Sequence, residues 1–231
     1  MNNTIERCEL ASDLSISRIL TGLWQIGDME KDDNHLDYNA KAASMLPYIE
    51  AGFTTFDMAD HYGSAEDIVG LFRRQQNPEK TVQLLTKWVP KPGITKREDV
   101  KVAVKRSMER MQVEQLDLLQ FHAWNYADPN WLDCLFWLQE LKEQGLIRHL
   151  GLTNFDTAHL RIILHSGIEI VSNQVCYSLL DQRPNGGMTA LCLEHGIKLL
   201  VYGTVAGGLL TEHWLNKPEP ESKNLVTWSQ Q

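Results

Sequence analysis

A helix-like stretch that stops at a glycine and runs straight into an apolar strand recurs along this chain. It reads YIEAGFTTFD around Gly52, LKEQGLIRHLGL around Gly145, ILHSGIEIVSNQ around Gly167 and CLEHGIKLLVYG around Gly196. Glycine just beyond a helix supplies the left-handed residue that closes it at little steric cost. The chain then returns to the core as a strand. VQLLTKW (82–88) and LDLLQFH (116–122) are nearly continuous apolar runs, suited to strands buried on both faces. Strands alternating with helices imply a parallel sheet, either doubly wound or closed into a barrel.

The segments between strands carry helical period. Val100, Val104, Met108 and Met111 share one face of 95–112, and Thr95 with Glu98 forms a T-x-x-E capping box at its start. Trp131, Leu135, Leu138 and Leu141 or Lys142 repeat in the same way over 130–144. Pro47 is expected to bend or restart the first helical segment.

The spacing of polar and aromatic residues at strand ends chooses between the two architectures. Trp24, Asp57, Lys87, His122, Asn154, Gln174 and Tyr202 follow one another at intervals of roughly thirty residues, the period of a (β/α)8 barrel. A doubly wound nucleotide fold opens with G-x-G-x-x-G, which the early segment ILTGLWQIGD lacks. The expectation is one α/β domain over 1–231, a TIM (β/α)8-type barrel that is incomplete. One further interval past Tyr202 lands at about 232, and TEHWLNKPEPESKNLVTWSQQ contains no apolar strand. About seven βα units are therefore expected, with an eighth strand missing and 211–231 irregular. The first and seventh strands would be edges open to association with another chain.

Composition narrows the partners. Lys plus Arg number 22 against 30 Asp plus Glu, a formal charge of −8, which argues against nucleic acid and anionic membranes. Cys8, Cys134, Cys176 and Cys192 are widely spaced with no C-x-x-C, as free thiols of a reducing compartment are. MNNTIERCEL has no apolar h-region and no run approaches membrane-spanning length, so a cytoplasmic protein is expected.

In barrels of this type the chemistry sits at the C-terminal ends of the strands. Asp57 and Tyr62, Lys87 and His122 gather there on three successive strands. An unperturbed phenol has a pKa of about 10, too high to release a proton readily near neutrality. A neighbouring lysine ammonium favours the phenolate, and a carboxylate keeps that lysine charged and aimed. A histidine can orient the same substrate oxygen. The set makes a proton donor facing an oxygen that gains negative charge. Two plainer readings stand beside it: Asp57 and Lys87 as a structural ion pair, and His122 as a core histidine. A metal centre from Asp57, His61 and His122 is a third, opposed by the lack of an H-x-H or a second ligand pair. Asp60 and His61 read as loop or pocket-rim residues.

FDMADHYG, LLTKW, LLQFH, GLTNF, NQVCYS and LVYGTVAGGLLT occur in that order, and together they resemble the aldo-keto reductases over about residues 15–215. The resemblance implies reversible hydride transfer between a nicotinamide cofactor, usually NADPH with NAD as the other possibility, and a small carbonyl or alcohol. It implies Tyr62 as general acid, Lys87 as its pKa perturber, Asp57 as the lysine's partner and His122 as the carbonyl orienter. Asn154 and Gln174 would hold the nicotinamide carboxamide, with Thr153 where the family usually has serine. Tyr202 would stack on the nicotinamide and Trp24 would lie beside its ribose, while Trp88 and Trp124 are candidates for an apolar substrate pocket or for core. The family's segment for the adenosine 2′-phosphate belongs with the eighth strand, and nothing here replaces it. A non-catalytic subunit, like the reductase-like partners of potassium channels, and an inactive fragment are the alternatives to an enzyme.

Overall fold

The computed structural model describes residues 5–30, 35–75, 82–91, 93–127, 129–218 and 220–221. Among them, seven parallel strands form one sheet in sequential order. They are β3 (Thr21–Gly22), β4 (Thr55–Asp57), β5 (Gln83–Trp88), β6 (Leu116–Phe121), β7 (Ile147–Thr153), β8 (Ser172–Cys176) and β9 (Lys198–Tyr202). The sheet curls into a half-barrel, and its outer strands β3 and β9 are not paired with each other. A separate antiparallel hairpin, β1 (Arg7–Ala11) and β2 (Leu14–Ser17), precedes it.

Helices cover the outer face: α1 (Trp24–Met29), α2 (Tyr38–Ala43), α3 (Leu46–Glu50), α4 (Ala65–Gln75), α5 (Arg97–Met111), α6 (Asn130–Glu143), α7 (Thr157–His165) and α8 (Gly187–Glu194). Past β9 the described residues hold two short 3-10 turns, Ala206–Gly208 and Glu212–Trp214. The expectation of irregular chain at 219 and 222–231 falls outside the described residues. No described helix is long and apolar enough to cross a membrane, and Cys8, Cys134, Cys176 and Cys192 form no disulfide with one another.

The glycine-punctuated junctions form as their sequence requires. Gly52, Gly145, Gly167 and Gly196 have φ of 95°, 80°, 79° and 70°, a region that costs other residues a clash. Pro47 falls in the first turn of α3, so the first helical segment restarts there. In α5 the buried face carries Val100, Val104 and Met111, but the capping box is displaced. The Lys96 N–H donates to Asp99 Oδ2 at 2.8 Å, so Asp99, and not Glu98, closes the first turn. Starting the helix at Arg97 moves the third helical position by one residue.

Strand alternation divides the core. Leu84, Trp88, Leu119 and Phe121 face the helices in the larger cluster, with Val104, Leu135, Leu138 and Ile163. Leu85, Leu118 and Leu200 face the lumen and pack on Leu10, Leu14 and Ile16 of the hairpin. The hairpin therefore plugs the bottom of the half-barrel. Asp13 at its turn accepts from Arg148 Nε at 2.8 Å and pairs with His149 at 2.7 Å.

Gly70 makes a contact that supports a stability prediction. A Cβ built there would lie 2.0 Å from the carbonyl oxygen of Arg110, so α4 and α5 touch backbone to backbone. In an open helix Gly→Ala is favourable by about 1 kcal/mol. Here Gly70→Ala is expected to destabilise by about 1–3 kcal/mol through overpacking. Urea unfolding checks the sign, and a stabilised variant would show that the helices separate freely.

Candidate functional site at the strand C-termini

Asp57 ends β4 and Lys87 lies one residue before the end of β5, so the pleat aims both side chains into the lumen. Lys87 is 1% exposed. Its Nζ donates to Asp57 Oδ2 at 2.6 Å and to the Met58 carbonyl at 3.0 Å. Burial pushes the ammonium below its ordinary value, and the Asp57 charge opposes that shift. Asp57 Oδ1 accepts two amide protons, from Gln120 Nε2 at 2.9 Å and Gln174 Nε2 at 3.0 Å. Side chains from β4, β5, β6 and β8 thus meet on one carboxylate.

The loop after β4 folds back over this pair. The Tyr62 N–H donates to the Ala59 carbonyl, and the Tyr62 carbonyl receives the first N–H of α4. Asp60 anchors the loop to α5, accepting from Arg106 at 3.0 Å on its side chain and from Arg110 at 3.1 Å on its carbonyl. Tyr62 comes to rest with its ring 5.2 Å from Lys87 Nζ. Trp24, the first residue of α1, meets the ring edge-on at 4.9 Å, as does His61 on another side.

This geometry corrects one sequence expectation. Lys87 lies over the face of the Tyr62 ring and bonds to Asp57, not to the hydroxyl. Burial, reinforced by the Asp57 charge, raises the phenol above its ordinary range. The free protein therefore keeps Tyr62 firmly protonated, where a lowered value was expected. A protonated phenol is the form that donates.

His122 follows β6, its N–H bonded to the Trp88 carbonyl at 3.0 Å. Burial, with His61 and Lys87 nearby, pushes its imidazole down to about 4. It is neutral at physiological pH, and its buried Nδ1 has no partner. Trp124 stands 69% exposed at the rim, edge-on to His61 and His122. Trp88 is not a pocket residue. It points to the helices, packed against Phe121 at 5.5 Å and 5% exposed.

A second group lies on β7, β8 and β9. Asn154 is exposed, in left-handed backbone at φ 58°, and its Oδ1 accepts from the Tyr202 hydroxyl at 3.0 Å. Tyr126, which the sequence reading passed over, donates to the Asn154 carbonyl at 3.2 Å. Thr153 Oγ1 is buried without a partner. An orphaned hydroxyl beside an exposed amide is the donor and acceptor set that a carboxamide ligand would need. Gln174 is the exception, because its Nε2 is committed to Asp57. No group of three or more His, Cys, Asp or Glu placed to hold a metal occurs among the described residues.

A parallel half-barrel wall with its polar groups collected at the strand C-termini defines a protein of the (β/α)-barrel class. The chain belongs to the aldo/keto reductase family, whose profile matches residues 18–230. Members of that family are oxidoreductases, with carbonyl reduction as the general reaction. The chain is 28% identical to an NADH-specific methylglyoxal reductase of Escherichia coli (strain K12), covering 87% of this chain and 67% of that protein. It is 32% identical to the oxidoreductase YqkF of Bacillus subtilis (strain 168), covering 92% and 68%. Among solved structures, the holo form of aldo-keto reductase AKR11C1 from Bacillus halodurans superposes with a TM-score of 0.76 at 28% identity, over 96% of this chain and 72% of that one.

Proposed function

We propose that this chain reduces small aldehydes or ketones with a nicotinamide cofactor, NADPH in preference to NADH, and that Tyr62 is the proton donor. The observation that carries the reading is the convergence of Tyr62, the buried Lys87–Asp57 pair and neutral His122 at adjoining strand ends. The cofactor supplies the hydride. Tyr62 gives its proton to the carbonyl oxygen as charge develops there, and Lys87 stabilises the phenolate left behind. Asp57 keeps Lys87 charged, and His122, uncharged, hydrogen-bonds the same oxygen. Asn154, with Tyr202 and Thr153, would hold the carboxamide, while Trp24 and Trp124 would border the ribose and the substrate. Four cysteines without a disulfide among them support a cytoplasmic setting.

The test is loss of nicotinamide absorbance when the purified chain meets methylglyoxal or an aromatic aldehyde, with NADPH and NADH in parallel. Carbonyl-dependent oxidation of NADPH is expected. Cofactor binding without turnover on any carbonyl would favour a non-catalytic binding subunit, and faster turnover with NADH would reverse the cofactor assignment.

A further inference from the structure

We propose that Gln120 is a positioning residue for the reaction: its amide holds Asp57 in the orientation that keeps the carboxylate on Lys87. The inference rests on the reductase reading and adds to it a residue inside β6, two positions before His122. Gln120 is fully buried and sits on β6 directly opposite Lys87 of β5 in the strand register. Its Nε2 reaches Asp57 Oδ1 at 2.9 Å. Only this amide orientation suits an ionised carboxylate, because the reverse would set two acceptors together.

The other end of the same amide shows how strongly the orientation is held. Gln120 Oε1 is buried with no partner. Leaving a carbonyl unsatisfied is unfavourable, and it persists here because the N–H end is bonded to a charge. The neighbouring strand makes room for the side chain. Gly151 pairs with Gln120 in register, and a Cβ at Gly151 would stand 3.2 Å from Gln120 Cγ and 2.5 Å from Ser172 Oγ.

Gln174 also donates to Asp57 Oδ1, yet the two amides are not equivalent. Gln174 lies on β8 beside Asn154, whose N–H bonds to the Gln174 carbonyl, so it belongs to the group that would turn to a carboxamide. Gln120, wholly enclosed, has no such alternative. With Gln174 engaged by cofactor, Gln120 would be the remaining amide on Oδ1.

Two variants of similar size separate positioning from packing. Gln120→Met removes the donor, and Gln120→Glu replaces it with a carboxylate. If Gln120 acts through Asp57, Gln120→Met lowers kcat roughly tenfold to a hundredfold, the worth of one hydrogen bond to a charged group. The Kd for NADPH stays unchanged.

The second readout is folding stability against alkaline pH, which needs no activity. The charged and titratable groups facing Lys87 are Asp57 from β4, Tyr62 from the loop after it and His122 from the end of β6. Burial lowers Lys87 below its ordinary 10.5, so between its folded and unfolded values the unfolded chain binds more protons at this group, and its contribution to stability rises with pH. The raised phenols of Tyr62, Tyr126 and Tyr202 contribute in the opposite direction, so the Lys87 contribution is read as the difference between variant and wild type. Gln120→Met loosens Asp57 from Lys87 and moves the onset of that rise to lower pH. Gln120→Glu adds a negative charge and moves it to higher pH. Opposite displacements support the assignment. Displacement in the same direction, or none, overturns it, as does a Gln120→Met variant with unchanged kcat in an active enzyme. A wild-type chain that reduces no carbonyl removes the reductase reading alone, because the stability arm still decides whether Gln120 controls the Asp57–Lys87 pair.

Discussion

Tyr62→Phe is expected to cut carbonyl reduction by about 10²–10⁴-fold, the range over which a positioned general acid contributes. Only the hydroxyl is lost. The ring that meets Trp24 and His61 and lies beside Lys87 stays in place, so the thermal midpoint and the affinity for cofactor should change little. Steady-state turnover and a fluorescence titration of NADPH, made on the same preparation, separate the two effects. Near-normal turnover in the variant would remove Tyr62 from the role of acid.

Lys87→Met should be nearly as damaging to turnover, and unlike Tyr62→Phe it should also weaken the fold. It leaves Asp57, with 14% of its side chain exposed, facing the lumen without its cation. Breaking a buried pair costs about 3–5 kcal/mol, and the lower end applies here because Gln120 and Gln174 still donate to the carboxylate. Adding Asp57→Asn to Lys87→Met should recover more than half of the loss, since the stranded charge goes with it. The catalytic effect has its own direction. Burial and the Asp57 charge hold the phenol high, and losing a cation beside the ring disfavours the phenolate further, so alcohol oxidation should require more alkaline pH. Urea unfolding of the single and double variants reads the first effect. An oxidation profile that does not move would show that the lysine does not tune the tyrosine.

The parts legible in the sequence are those fixed by local rules. A glycine past a helix and an apolar run after it constrain only their neighbours, and the parallel order of the sheet follows from their alternation. Asp57 and Lys87 stood out in the sequence because a charged residue at the end of an otherwise apolar strand is unusual, whereas Tyr62, in the loop that follows β4, was marked by the segment FDMADHYG. Lateral relations were harder to read. Gln120 stands in LLQFH with nothing to mark it, because its importance lies in what faces it from β4. The commitment of Gln174 to Asp57 is invisible for the same reason.

Two features were recoverable from period-2 alternation. If Lys87 points into the lumen, its strand neighbour Trp88 must point to the helices, which settles core over pocket. Cys8 and Leu10, then Leu14 and Ile16, alternate on either side of Ser12 and Asp13, a hairpin pattern overshadowed by the louder helix–strand repeat. The raised phenol is not legible in the sequence, which shows the neighbouring lysine but not the burial that dominates.

That hairpin imposes an order of events on biosynthesis. Its residues leave the ribosome before the wall strands do, yet the apolar face made by Leu10, Leu14 and Ile16 waits for Leu85, Leu118 and, later still, Leu200. Its polar tether is as remote, for Asp13 and Arg148 are 135 positions apart in the chain. At about 5–20 residues per second, roughly 7–27 s pass between their appearances. Throughout that interval the plug exists before the vessel it stops, and its oily side must be tolerated by the nascent chain or shielded by a chaperone. The floor of the barrel therefore joins parts of the chain that are translated far apart, and it can be laid only after the wall has risen.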